Sequence, residues 1–285
     1  MTPAARLGLA AIGDGAGGLA IEQIEVRAPA AGEVRVRLSA AGICHTDQAS
    51  LSWPGPLVLG HEGAGVVDAL GAGVAHLHAG QPVLLNWAIP CGHCPQCRRG
   101  RGALCERTQG VDASLGSSRA GAGHTRWRGQ DVQRSFNLGT FAEYTLVRAE
   151  ALTPLPQTLP MRCACILGCG VMTGVGAVIN IAAVQPGDSV AVVGCGGNAV
   201  QLSGAHGPVT VDMPQFWWDK KYLVPLYGGC LPERDFPRLI DWAASGQLRL
   251  ASMVTHTYCL AQLQQALDDM LAGRSAKGVI LFDAP

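Results

Sequence analysis

The chain has 285 residues, 48% of them hydrophobic, enough for a substantial core in one large or two modest domains. Lysine plus arginine and aspartate plus glutamate stand at 21 each, so the net charge is zero and no basic field exists to attract nucleic acid or an anionic membrane. Aromatic residues are only 5% and glycines number 38, a balance that suits tight turns and strands more than long helices.

Residues 1–20 carry Asp14 and several glycines where a secretory signal needs an apolar run, so a cytoplasmic protein is expected. The first 160 residues read as all-β. GEVRVRLSAAGI (32–43) alternates apolar and polar residues with period two, and GAGVVDALGAGV (63–74) and QPVLLNW (81–87) are further strand candidates between glycine turns. Short strands with frequent turns favour a barrel or sandwich. Residues 111–137 are rich in Gly, Ser, Arg and Gln without periodicity, and read as a surface loop.

Between those stretches lies CGHCPQCRRGRGALC, with Cys91, Cys94, Cys97 and Cys105 inside fifteen residues. Thiolates this close can turn inward on one ion, and Zn²⁺ accepts four sulfurs tetrahedrally at about 2.3 Å with no position left for substrate. The spacing therefore reads as a closed, structural zinc lobe. Disulfides fit poorly with an odd total of 11 cysteines, and the bacterial iron–sulfur run ends in x3-C-P rather than x7-C. His93 lies within the lobe and reads as a solvated loop histidine.

The texture changes near Pro160. Residues 163–187 carry no charged side chain and are long enough to span a bilayer. Five glycines, Thr173, Asn180 and a closing Pro-Gly turn point instead to a buried strand–helix segment of a soluble protein, and no membrane span is expected. PGDSVAVVGCGG (186–197) reads as a turn, an apolar strand and a glycine turn. RDFPRLIDWAAS (234–245) and LAQLQQALDDMLAG (260–273) read as amphipathic helices, the first with Leu239, Ile240 and Trp242 on its apolar side, and KGVILF (277–282) as a last strand.

Three islands hold candidate ligands outside the lobe: GICHTD (42–47), GHEGAG (60–65) and LGCGVMTG (167–174). Cys44, His61 and Cys169 supply a Cys₂His set, one of those that hold catalytic zinc with a fourth position open. Thr46, two residues after Cys44, offers a hydroxyl, and Asp47 is expected to orient His61. Cys163, Cys165, Cys195, Cys230 and Cys259 match no ligand position and read as small buried thiols.

GHEGAGVV, the four-cysteine lobe and GDSVAVVGCGG stand in the order found in the zinc-dependent medium-chain alcohol dehydrogenases, and the chain resembles that family. The nearest branch is similar to aryl-alcohol or glutathione-dependent formaldehyde dehydrogenases. The resemblance implies a mixed α/β fold: a GroES-like β-barrel catalytic domain (1–170, with the zinc lobe at 91–105), a Rossmann-like parallel α/β segment (171–233) and a C-terminal segment (234–285) that returns to the catalytic domain. It implies two zincs per chain, a small-molecule alcohol or aldehyde as substrate, NAD as hydride carrier, and a dimer or tetramer, so a homo-oligomer is expected. In its terms Thr46 relays the alcohol proton, Thr173 lies beside the nicotinamide, and Glu62 either approaches the zinc from behind or is an ordinary buried carboxylate with a partner. His45 either touches the coenzyme pyrophosphate or is simply exposed. The family's relay often ends in a histidine where this chain has Ala49.

Gly194, Gly196 and Gly197 open a dinucleotide fingerprint whose third glycine is replaced by Ala199. From Val190 to Tyr227 there is room for little more than one βαβ unit of about 30 residues, so the coenzyme segment reads as internally shortened. PVTVDM (208–213) is a second strand candidate, and Asp212 is not assigned to a ribose. Two readings follow: a zinc-dependent, NAD-linked dehydrogenase of a primary or aromatic alcohol, or a zinc-binding remnant of that family without coenzyme binding or turnover.

Overall fold

A computed structural model describes residues 4–106, 125–188, 199–200, 210 and 221–282. The chain opens with β1 (Arg6–Gly13), β2 (Leu19–Val26) and the ten-residue β3 (Glu33–Gly42). A short helix, α1 (His45–Ser50), separates β3 from β4 (Leu57–Val58), β5 (Gly63–Leu70) and β6 (Pro82–Leu85). The cysteine lobe contributes α2 (Pro95–Arg98). Residues read as loop at 125–137 in fact carry β7 (Thr125–Trp127), β8 (Gln130–Asp131) and β9 (Gln133–Arg134), and residues 111–124 lie outside the described set. β10 (Tyr144–Arg148) and β11 (Leu152–Pro154) complete the all-β part.

Two sheets result. One has six strands in the order β8-β7-β2-β1-β4-β9, and the other has β11-β6-β5-β3 in sequence with β10 also paired to β3. The alternation in β3 does what its pattern demands: Val34, Val36, Leu38 and Ala40 are buried against Ala64, Val67 and Val83–Leu85. Arg35, on the other face, is buried too, and its Nε donates to Asp68 Oδ2 at 2.6 Å, so the cation is not left unpaired.

The apolar stretch after Pro160 forms α3 (Met161–Ala164), a 3-10 turn Cys165–Gly168, α4 (Gly170–Gly176) and a π-helical turn Ala177–Ile181. The two halves, Met161–Gly168 and Gly170–Ile181, meet at a 54° bend. By length and apolarity this bent pair could cross a membrane, and no single helix among the described residues could. Cys163–Leu167 belong to the main core, which makes the first half an interior helix of the fold. β12 (Ala199–Val200) and β13 (Tyr222–Leu223) pair in parallel, the connection expected of an α/β segment.

Residues 232–281 supply α5 (Pro232–Ala244), β14 (His256–Cys259), α6 (Leu263–Leu271) and β15 (Gly278–Leu281). Leu239 and Ile240 of α5 are buried and Trp242 is partly so. β15 pairs antiparallel with Ala40–Gly42 of β3 and parallel with β14, so the chain's end extends the sheet that its beginning built. Leu263 and Leu267 of α6 pack with Ile43 and Leu51 around α1, each fully buried leucine contributing about 1.5–3 kcal/mol. Cys163, Cys165 and Cys230 are buried as expected. Cys259 is exposed, a correction to its reading as a buried thiol: it caps a turn, its backbone N–H donating to Gln262 Oε1 at 3.0 Å. Cys195 and the PVTVDM strand candidate, apart from exposed Thr210, lie outside the described residues.

Candidate metal centre and active site

Cys44 ends the first strand–helix corner. Its backbone is extended (φ −130°, ψ 153°) and it caps α1, with its N–H donating to Asp47 Oδ2 at 2.9 Å. The other carboxylate oxygen of Asp47 lies 2.8 Å from His61 Nδ1. One buried carboxylate thus fixes both the corner and the imidazole, leaving Nε2 as the ring nitrogen without that bond. His61 follows Gly60, whose φ of +93° turns the chain into β5; a Cβ there would meet Phe141 N at 2.5 Å, so the turn requires glycine.

Cys169 sits in the bend between the two apolar helices, with non-helical φ −145° and ψ −73°. That break leaves Cys169 outside both helical runs, at the corner between them. Cys44, His61, Glu62 and Cys169 each place one ligand atom within 4.8 Å of all the others. The three islands, spread over residues 42–174, meet in space.

Electrostatics sharpen the cluster. The Cys44 thiol falls well below the ordinary thiol range, chiefly because Cys169 donates to it and also because of His61. Cys169 is correspondingly raised by that same hydrogen bond and by burial. Burial alone would lower His61, but Asp47 and Cys44 outweigh it and hold the imidazole well above its usual value. These directions favour the charged forms of Cys44 and His61 and the neutral thiol of Cys169. Two sulfurs and an imidazole are donors of the type that Zn²⁺ takes, with proton release on binding.

Glu62 is fully buried, and burial raises it to about 7 against the opposing pull of Lys277. Lys277 Nζ donates to Glu62 Oε1 at 2.7 Å and to the Ile43 carbonyl at 2.9 Å. Its charge is held because Glu62 and Cys44 outweigh the burial that lowers it. Glu62 Oε2 has no hydrogen-bond partner among the described residues. Sequence reading gave Glu62 an unnamed partner and missed Lys277 altogether. The signal available was a single cation opening the apolar run KGVILF.

Thr46 Oγ1 lies 3.7 Å from Cys44 Sγ. His45 is exposed, Ala49 is exposed, and Thr173 lies half-buried on α4 with its N–H donating to the Cys169 carbonyl at 2.8 Å. Gly194, Gly196 and Gly197 lie outside the described residues. The Phe136 ring lies 4.7 Å from that of His61, and Trp53 and Trp87 pack on Phe136 at 5.6 Å and 5.4 Å. Beside the cluster a cleft of about 560 Å³ opens between Gly170, Val171 and Gly174 of α4 and the Ser252, Met253 and Lys277 side.

The four-cysteine lobe is a second group. One sulfur from each of Cys91, Cys94, Cys97 and Cys105 lies within 4.8 Å of the others, and no disulfide joins the described cysteines. Backbone N–H groups of Cys94 and Cys97 donate to Cys91 Sγ at 3.4 Å and Cys94 Sγ at 3.5 Å, which favours thiolates. The Cys97 N–H accordingly lowers Cys94. Burial pushes Cys97 up to about 12. His93 is exposed, with Nδ1 2.6 Å from the Cys91 carbonyl.

Residues 30–157 match the alcohol dehydrogenase GroES-like domain. The chain is 41% identical over 356 positions to S-(hydroxymethyl)glutathione dehydrogenase of Synechocystis sp., covering 93% of this chain and 96% of that protein. That alignment is longer than the 285-residue chain, so the relative carries residues with no counterpart here. Identity to alcohol dehydrogenase class-3 of Drosophila melanogaster is 40% over 183 residues, 62% of this chain and 48% of the relative. The chain thus spans about half of that protein's length. The crystal structure of an alcohol dehydrogenase zinc-binding domain protein from Burkholderia ambifaria superposes with a TM-score of 0.86 at 26% identity, over 98% of this chain and 100% of the other.

Proposed function

We propose, for a chain that belongs to the zinc-dependent medium-chain alcohol dehydrogenase family, that its own site transfers hydride between a primary or aromatic alcohol, or the matching aldehyde, and NAD(H). The observation that carries this is the convergence of Cys44, His61 and Cys169 ligand atoms within 4.8 Å. These three residues would hold one zinc and the four-cysteine lobe a second, giving two per chain. Zinc in a Cys₂His set supplies a Lewis acid that makes a hydroxyl group easier to deprotonate.

The remaining work falls to the chain's own residues. Asp47 orients His61. The Thr46 hydroxyl, 3.7 Å from Cys44 Sγ, is placed to take the alcohol proton and pass it on. With Ala49 at the position where relatives often have histidine, that proton leaves by water or the coenzyme ribose. Trp53, Trp87 and Phe136 give the His61 side of the site apolar walls suited to an aromatic ring. Glu62, anchored by Lys277, sets the charge behind the ligands.

The cleft beside α4 has the volume of a small-ligand site and an apolar lining with Lys277 as its one cation, which suits the nicotinamide end of a dinucleotide. Thr173 stands on the same helix, and His45 and the glycines 194, 196 and 197 would serve the pyrophosphate. Nucleotide titration by fluorescence with parallel zinc quantification tests the reading. Saturable NADH binding with alcohol-dependent NAD⁺ reduction is expected. Zinc present with no nucleotide binding would instead identify a zinc-binding remnant, and no zinc at all would end the proposal.

A further inference from the structure

Cys169 owes its direction to a break between two helices, and a residue from the returning chain holds that break. The Gly168 carbonyl, at the end of the first half, accepts the hydroxyl of Tyr227. Gly168 is pinned from the other side as well: a Cβ on it would meet the Leu85 carbonyl at 2.5 Å. Tyr227 is 3% exposed and its ring lies 4.2 Å from Trp87 and 6.5 Å from Phe236, so the hydroxyl has little freedom to turn away. Its backbone adopts φ +56°, a conformation that a tyrosine rarely takes.

The segment after Tyr227 is fitted to α4 just as closely. Gly228 (φ +59°) has no room for a Cβ, which would lie 2.8 Å from Gly176 Cα and from the Met172 and Thr173 carbonyls. Asn180 Nδ2 donates to the Gly228 carbonyl at 3.1 Å and to Asp235 Oδ2 at 3.3 Å, while the Leu231 N–H donates to the same carboxylate oxygen at 2.8 Å. These contacts lock the return segment onto the helix that Cys169 begins. The hydrogen bond of this set that lies nearest the cluster in sequence goes to the Gly168 carbonyl, one residue before Cys169.

We propose that Tyr227 is a positioning residue for Cys169: its hydroxyl, bonded to Gly168, holds the helix break at the angle that brings the Cys169 sulfur to Cys44 and His61. The inference rests on the metal-holding role proposed for those three residues. Loss of the hydroxyl leaves the ring packing intact and frees the ligand to drift, and outer groups of this kind change metal affinity by about 10- to 100-fold.

The test follows zinc release from the purified protein to excess 4-(2-pyridylazo)resorcinol in the parent, Cys44→Ser and Tyr227→Phe. The parent is expected to release zinc in two phases, of which Cys44→Ser lacks one. Tyr227→Phe is expected to speed that same phase about tenfold and to leave the four-cysteine phase unchanged, with an unchanged Tm showing that the variant is folded. In the cobalt(II)-substituted protein the thiolate-to-metal absorption that Cys44→Ser lacks should shift in Tyr227→Phe. Unchanged release and spectrum, or both phases accelerated alike with a lowered Tm, would overturn the positioning role and leave the dehydrogenase reading standing. A parent with no phase dependent on Cys44 would overturn both.

Discussion

The four-cysteine lobe and the Cys44–His61–Cys169 cluster use similar donors and are built in opposite ways. The lobe draws every sulfur from fifteen consecutive residues, and its loops hold those sulfurs with their own backbone N–H groups. The cluster draws one ligand from the end of β3, one from the entry to β5 and one from a helix break, and its supporting groups come from Asp47, Lys277 and Tyr227. A local site depends on spacing, and a distributed site depends on the whole barrel being correctly assembled. The lobe therefore reports on local integrity and the cluster on the global fold.

The largest expected effect separates the two roles. Cys44→Ser should lose the cluster's zinc and roughly a thousandfold or more in alcohol oxidation, since a Lewis acid supplies several kcal/mol of transition-state stabilisation, while thermal unfolding moves little. Cys94→Ser should do the reverse, with the main loss in Tm. Steady-state rates and calorimetry on the pair measure this, and equal loss of activity at unchanged Tm in both would erase the contrast.

A smaller effect concerns the cluster's electrostatic support. Lys277→Met leaves Glu62 buried without its cation and should lower stability by about 3–5 kcal/mol in urea denaturation. Because burial already raises Glu62 to about 7, removing the cation should raise it further, so the loss should be greatest at high pH, where the carboxylate is charged, and shrink as the pH falls and it takes up a proton. Adding Glu62→Gln to Lys277→Met should recover part of the loss. A double variant no more stable than the single would show that the two side chains do not act as a pair.

How much of this was legible in the sequence follows from the same contrast. The lobe was readable from spacing alone, β3 from alternation and β5 and β6 as short segments between glycine turns, because each pattern is written within a few residues. The three islands of the cluster could be named as ligands, while their meeting had to come from the fold. Lys277 escaped notice because its partner Glu62 is 215 residues away and the intervening strands decide the contact. Tyr227 escaped because its partner is a backbone carbonyl, which leaves no mark in side-chain patterns. β7–β9 were hidden for a different reason: Arg126, Gln130 and Gln133 stand in strands of only two or three residues, too short to show an apolar period, with β8 and β9 at the sheet's edges. The exposed Cys259 shows that residue type alone does not fix burial.

Zinc content per chain in the parent and in His61→Ala tests the central claim most directly. The account predicts two zinc ions per chain in the parent and one in the variant, with the four-cysteine site retained. Equal zinc content in the two proteins would contradict it, because the imidazole would then hold no metal.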